Sequence, residues 1–193
     1  MKTITYHHEG TPTEINVTFL PISNPVIKSL PQSVQDTIAD LFVQAQSSPK
    51  AAIPVLKKLI VQYPQVPQLY NFITTAYSLL NDYDRSEQFA LEGLQKHPDY
   101  LFIRINYAEI CLKRDMVHKV PVIFEDKLNL PELLPDRKVF HLTEVVGFLG
   151  VCGRYYHETK NLEAAKECYR CLSDLSPESP KAKTLRSLLN RNA

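Results

Sequence analysis

Residues 68–98, QLYNFITTAYSLLNDYDRSEQFALEGLQKHP, decide how the rest of the chain is read. Tyr70, Ile73, Thr74 and Tyr77 recur at helical spacing. Asn81-Asp82-Tyr83-Asp84 then interrupts with turn residues, and Ser86, Phe89, Ala90, Gly93 and Leu94 resume the period up to His97-Pro98. The spacing predicts two amphipathic helices joined by a tight turn. A helix pair of this kind cannot bury its apolar face alone, so it requires neighbours built the same way.

Working outward, Val34, Ile38, Leu41 and Phe42 form a helical stripe from Gln32 onward. Ser48 is a candidate N-cap with Pro49 at the first helical position, and Ala52, Val55, Leu56 and Leu59 carry a second helix to Tyr63-Pro64. Pro54 inside that helix predicts a local irregularity or a late start. Pro64 and Pro98 are 34 residues apart, and Pro98 and Pro177 are 79 apart, two such periods and eleven residues more. A degenerate unit is expected over 101–134, its first helix LFIRINYAEICLKR clear, its second starting near Pro121 and fading by Pro135. Eleven residues make about three turns, so one long helix from Arg137 to Glu158 absorbs them without changing its buried face. Leu162 to Leu175 is its partner. Ser179-Pro180 opens a last helix to about Arg191 that carries Lys181, Lys183 and Arg186 and no acid, suited to capping an exposed end.

The first 31 residues differ. Ile4 and Tyr6 alternate with threonines, Glu9-Gly10-Thr11-Pro12 reads as a turn, and Ile15, Val17 and Phe19 alternate with polar residues, which predicts a β-hairpin. An isolated hairpin is marginal in water, so it should lie on the helices or offer a strand edge to a partner. Residues 21–31 read as a proline-punctuated linker, which divides the chain into an N-terminal piece 1–31 and a helical array 32–193.

Net charge is +1, so composition gives no reason to expect nucleic acid or an anionic membrane as partner. Gly is scarce at 5 and Pro plentiful at 14, a balance that suits helices punctuated by proline. No targeting segment or membrane-length apolar run stands out, and the four cysteines are too few and uneven for a disulfide framework. A cytoplasmic protein with reduced thiols is expected.

A 34-residue period with two helices per unit resembles the tetratricopeptide repeat. Aligned on the closing prolines, the family's small and apolar second-helix positions fall on Ala52, Leu56 and Leu59 in unit 33–66, and on Ser86, Ala90 and Gly93 in unit 67–100. In the last unit, 137–179, the first-helix positions hold Leu149, Cys152, Gly153 and Tyr156, followed by Ala165, Tyr169 and Leu172. The resemblance covers residues 33 to 179 and is poorest over 101–134, where Val120 and Phe124 depart from the pattern. It implies an all-α fold, a right-handed superhelix of antiparallel helix pairs carrying the short hairpin and a capping helix over 179–191. It implies a non-catalytic scaffold or adaptor without cofactor that binds a protein or peptide in its concave groove, with a chaperone-like role as one form of that binding. Matching positions place Gln68, Asn71, Thr75 and Ser78 in that groove, then Phe102, Ile105, Asn106 and Glu109, then Arg154 and His157. The family's carboxylate clamp is largely missing, with Thr37, Leu41 and Phe102 where it carries Lys or Asn. Self-assembly through Ile15, Val17 and Phe19 or through the degenerate unit is the alternative.

Other chemistry has weaker support. Cys168 and Cys171 form a CxxC on one helical face, with Cys152 and His157 near in sequence, but a metal site or a thiol nucleophile wants more donors or an exposed thiolate. Core thiols account for them more simply. His7 and His8 lie one on each face of the expected hairpin with no further donors, and the basic last helix lacks the interleaved aromatics of a nucleic-acid surface.

Overall fold

The computed structural model describes residues 1–8, 11–22 and 24–191. Among them are eleven helices: α1 (Pro25–Lys28), α2 (Gln32–Ser47), α3 (Pro49–Gln62), α4 (Pro67–Leu79), α5 (Tyr83–Lys96), α6 (Leu101–Lys113), α7 (Lys119–Ile123), α8 (Leu130–Leu133), α9 (Leu142–Glu158), α10 (Leu162–Leu175) and α11 (Pro180–Asn190). Three strands, β1 (Lys2–His8), β2 (Thr11–Thr18) and β3 (Val139–His141), make one small sheet in the order β1-β2-β3. The fold is therefore mostly helical. The chain forms two compact units, residues 23–110 and residues 1–22 with 111–193. Among the described residues no helix is long and apolar enough to cross a membrane.

The sequence period is written into the helix ends. Asn81, Asp115 and Lys160 have left-handed φ of 58°, 58° and 65°, and they sit at the same phase, 34 and 45 residues apart. After each, a backbone N–H reaches back five residues: Asp82 to the Tyr77 carbonyl, Met116 to Cys111 and Asn161 to Tyr156, at 3.0, 2.8 and 2.8 Å. This 6→1 bond satisfies a carbonyl that the helix end leaves open and reverses the chain within three residues. Asp82 and Asn161 then cap the following helices, accepting the N–H of Arg85 and Ala164. The second helices also end alike, on Tyr63, His97 and Ser176 with similar backbone angles (φ −133°, −138° and −158°, ψ 59°, 63° and 71°), their N–H groups bonded to the carbonyls of Leu59, Gly93 and Leu172.

In residues 23–110, α2 to α5 pack in succession around Ile38, Leu41, Leu56, Leu69, Tyr70 and Ile73, all buried. Ser86 on α5 is fully buried and donates to the Thr74 carbonyl of α4 at 2.7 Å. Gly93 marks a close approach of the two helices: a Cβ there would sit 2.9 Å from Tyr70 Cβ and 2.8 Å from Ile103 Cδ1. Three sequence expectations change. Helix α3 runs from Pro49 straight through Pro54 without a late start, and Pro54 gives up the hydrogen bond that its missing N–H would have made. Ser48 flanks α3 but its hydroxyl makes no cap bond. Phe42 is exposed and lies against Phe72 at 5.7 Å, outside the stripe of Ile38 and Leu41.

Residues 1–22 with 111–193 bind the sheet to helices. β1 and β2 pair antiparallel, Ile4 opposite Ile15 and Tyr6 opposite Thr13, so the apolar alternation lands on one face against α9 and α10. Ile4, Tyr6, Ile15 and Val17 are buried, which removes Ile15 and Val17 from any self-assembly surface. Phe19 lies beyond β2 and is exposed. Of the expected turn, Glu9 and Gly10 lie outside the described residues, as does the His8 side chain, and Thr11 and Pro12 belong to β2. The hairpin is joined by β3, parallel to β2 with Val17 opposite Phe140. The long helix expected from Arg137 is therefore shorter. Val139-Phe140 extends into the sheet, and α9 starts at Leu142 behind a capping box. There Glu144 accepts the His141 N–H while the His141 ring accepts that of Thr143. Glu144 also holds Arg137 through two bonds of 2.9 and 2.7 Å. In the degenerate unit, left-handed Glu125 and Asp126 stop α7 after five residues, and the second helix is replaced by α7 and α8.

The outer edge of β1 is closed by α10. Arg170 donates to the Thr5 carbonyl at 2.7 Å, the His7 N–H donates to Glu167 at 2.8 Å, and Lys2 pairs with Asp174. These bonds take up the Thr5 carbonyl and the His7 N–H on the outer edge, where a partner strand would otherwise pair. On the inner side the Tyr6 hydroxyl donates to Asn129 Oδ1 at 2.9 Å, and Asn129 donates in turn to Thr13.

Two outcomes are expected. Gly93→Ala gains helix propensity but forces α4 and α5 apart, with a net loss of about 1–2 kcal/mol by urea unfolding; an unchanged midpoint refutes the close contact. The Arg170 guanidinium beside Glu167 pulls its carboxyl down to about 2. Because that lies below the ordinary Glu value of about 4.3, the pair stabilises the fold above that pH and its contribution disappears as pH falls toward 2. Thermal melts should show the native chain ahead of Glu167→Gln near neutrality and level with it at the acid end.

Candidate functional site

Polar residues spaced three, four and three apart share one face of a helix. On α4 these are Gln68, Asn71, Thr75 and Ser78, all half-buried. α6 sets Phe102, Asn106 and Glu109 on a corresponding face, also half-buried. The two faces meet: Asn106 Nδ2 donates to Asn71 Oδ1 at 2.7 Å and to Thr75 Oγ1 at 3.0 Å. Thr75 Oγ1 itself donates to the Asn71 carbonyl at 3.0 Å.

This network uses the donors of Asn106 and the acceptor of Asn71. Their complements, Asn71 Nδ2 and Asn106 Oδ1, take no partner among the described residues. A donor and an acceptor on neighbouring helices match the one N–H and one C=O of a peptide unit. One turn before Asn71, Gln68 Oε1 is buried and likewise without a partner. Among the described residues such atoms are rare, and each carries a desolvation cost.

Three sequence-assigned positions stand apart. Ile105, on α6, is buried at 4% exposure, so its side chain belongs to the core. Adjacent residues on a helix point about 100° apart, and that angle separates Ile105 from its neighbour Asn106. Arg154 and His157 are on α9, in the other compact unit. His157 is buried at 8% exposure with Nδ1 3.7 Å from Glu158, which corrects its assignment to an open face. Arg154 is half-buried, and that burial lowers its pKa against the opposing pull of Glu158.

The thiols sit in apolar surroundings. Cys111, Cys152, Cys168 and Cys171 are all free and buried. Burial pushes the Cys152 and Cys168 thiols up, and pushes Cys171 up to about 11. All three are therefore protonated at neutral pH and poor nucleophiles. Among the described residues no three His, Cys, Asp or Glu side chains come together as a metal cage.

What the sequence did not disclose is a cleft of about 370 Å³ between β1, α9 and α10. Its walls come from residues as far apart as Tyr6 and Cys168, so no local pattern announces it. No protein-family model matches the chain, and no curated protein matches it significantly.

The burial of the thiols has a direct readout. A disulfide reagent such as Ellman's should leave all four cysteines unreacted in the native protein and titrate four in denaturant. Prompt native reaction of any one of them contradicts the burial.

Proposed function

We propose that the chain is a non-catalytic, tetratricopeptide-like interaction module, and that the α4–α6 face of residues 23–110 takes an extended peptide segment of a partner protein. The observation that carries the reading is the complementary pair left open by the amide network, Asn71 Nδ2 and Asn106 Oδ1. The bond between the two amides fixes both side chains before a peptide arrives, so little rotamer entropy is lost on binding. Phe102 at the edge of the same face gives an apolar contact for a side chain, and it packs on Tyr100 at 5.7 Å. The repeated helix ends, 34 residues apart, support the family resemblance. The four free cysteines accord with a reducing, cytoplasmic setting.

The test uses peptides selected from a displayed random library on the full-length chain. Asn71→Ala with Asn106→Ala should weaken the selected peptides about tenfold by calorimetry, the worth of two hydrogen bonds. Melting should shift by no more than about 2–4 °C, because the groups left behind face water. Equal affinity for the double variant refutes the reading.

A further inference from the structure

The cleft between β1, α9 and α10 lies wholly within residues 1–22 and 111–193, and the proposed peptide face makes no use of it. Its volume of about 370 Å³ falls in the range of small-ligand sites, roughly 300–1,000 Å³. At about 30 Å³ per water, it holds on the order of a dozen waters, so a ligand of modest size displaces most of its content.

Its floor is apolar and neutral. Leu128 and Leu149 line it beside Cys152 and Cys168, whose thiols burial keeps protonated. Tyr6 and Tyr156 add aromatic rings, and the Tyr6 hydroxyl is already committed to Asn129. The mouth is different. Glu163 and Glu167, one helical turn apart on α10, reach it with His7 and Asn161, while no Lys or Arg is among the lining residues. Glu167 is fully used: Oε1 accepts from His7 N–H and Arg170, and Oε2 accepts from Arg170. Glu163 is not. Its Oε1 holds Lys166 at 2.7 Å, and Oε2 has no partner among the described residues. Asn161 Oδ1 is spent capping α10.

We propose that this cleft binds a small organic cation, a primary ammonium group on an aromatic or branched apolar body. The body fills the floor against Leu128, Leu149 and the tyrosine rings. The ammonium sits at the mouth, where Glu163 Oε2 accepts a hydrogen bond. The two carboxylates at the mouth are paired with Lys166 and Arg170, so selection against an anion of the same shape rests on Glu163 Oε2, the one of their oxygens with no partner among the described residues.

The experiment titrates the full-length chain with phenethylammonium, with 2-phenylethanol as the neutral isostere and 3-phenylpropionate as the anion, followed by the ring NMR signals of the tyrosines. Phenethylammonium is expected to move the Tyr6 and Tyr156 signals and to bind about two- to fivefold tighter than either comparator. Glu163 is 87% exposed, so Glu163→Gln leaves the fold intact; it should weaken the amine about two- to fivefold and leave the alcohol unchanged. Ala164→Trp, which fills the cleft, should abolish binding. The proposal is overturned if the amine leaves both tyrosines unmoved, if the alcohol or the acid binds as tightly, or if Glu163→Gln binds the amine as the native chain does. Each of these is read without the α4–α6 face, so the outcome is independent of the peptide reading.

Discussion

The close approach of paired helices at small residues is the contact on which the structure depends. Gly93 lets α5 settle against Tyr70 of α4, and Gly153 lets α9 settle against Cys168 of α10 and Leu185 of α11. With backbones that near, Ser86 can reach across to the Thr74 carbonyl, and the turn between helices must close within three residues. The left-handed residues Asn81 and Lys160 accomplish that closure. A side chain at C′ costs something relative to glycine, and the packing it permits offsets the cost.

The sheet solves a different problem. A hairpin with four buried apolar residues needs a surface to cover them and a way to occupy its open edge. Helices α9 and α10 supply the surface. The edge of β1 is closed by charged side chains of α10, with Arg170 on the Thr5 carbonyl and Glu167 on the His7 N–H. On the far side β3 pairs with β2, and its own end is held by Arg137, which bonds the Val139 carbonyl and lies over the Phe140 ring. Both edges are therefore managed by ion-paired residues, which also explains why the N-terminal residues group with 111–193 and not with their sequence neighbours.

Most of the helical pattern was legible in the sequence because it depends on local spacing. The bounds of α4, α5 and α10 follow from the stripe and the turn residues around Asn81 and Asn161. Misreadings arose where distant residues decided the outcome. Val139-Phe140 has a sequence compatible with helix, and it becomes a strand because β2 offers it a parallel partner. Ile105 and His157 were assigned by register, and one helical step of rotation placed them in the core. The pairing of Asn71 with Asn106 was not read from the sequence; the hydrogen bond needs α4 and α6 side by side.

The sequence by itself determined that this is a chain of helix pairs with a 34-residue period and an irregular third member, since periodicity, prolines and small residues act within one or two turns. It also determined which residues were available as polar groups on the first helices. Only the tertiary structure decided which of those groups remain open and which are spent on one another. It alone closed the strand edge and enclosed the cleft lined by Tyr6 and Cys168. The reason is physical: hydrogen-bond partners and enclosed volume are set by distances between segments far apart in the chain, and local pattern carries no record of those distances.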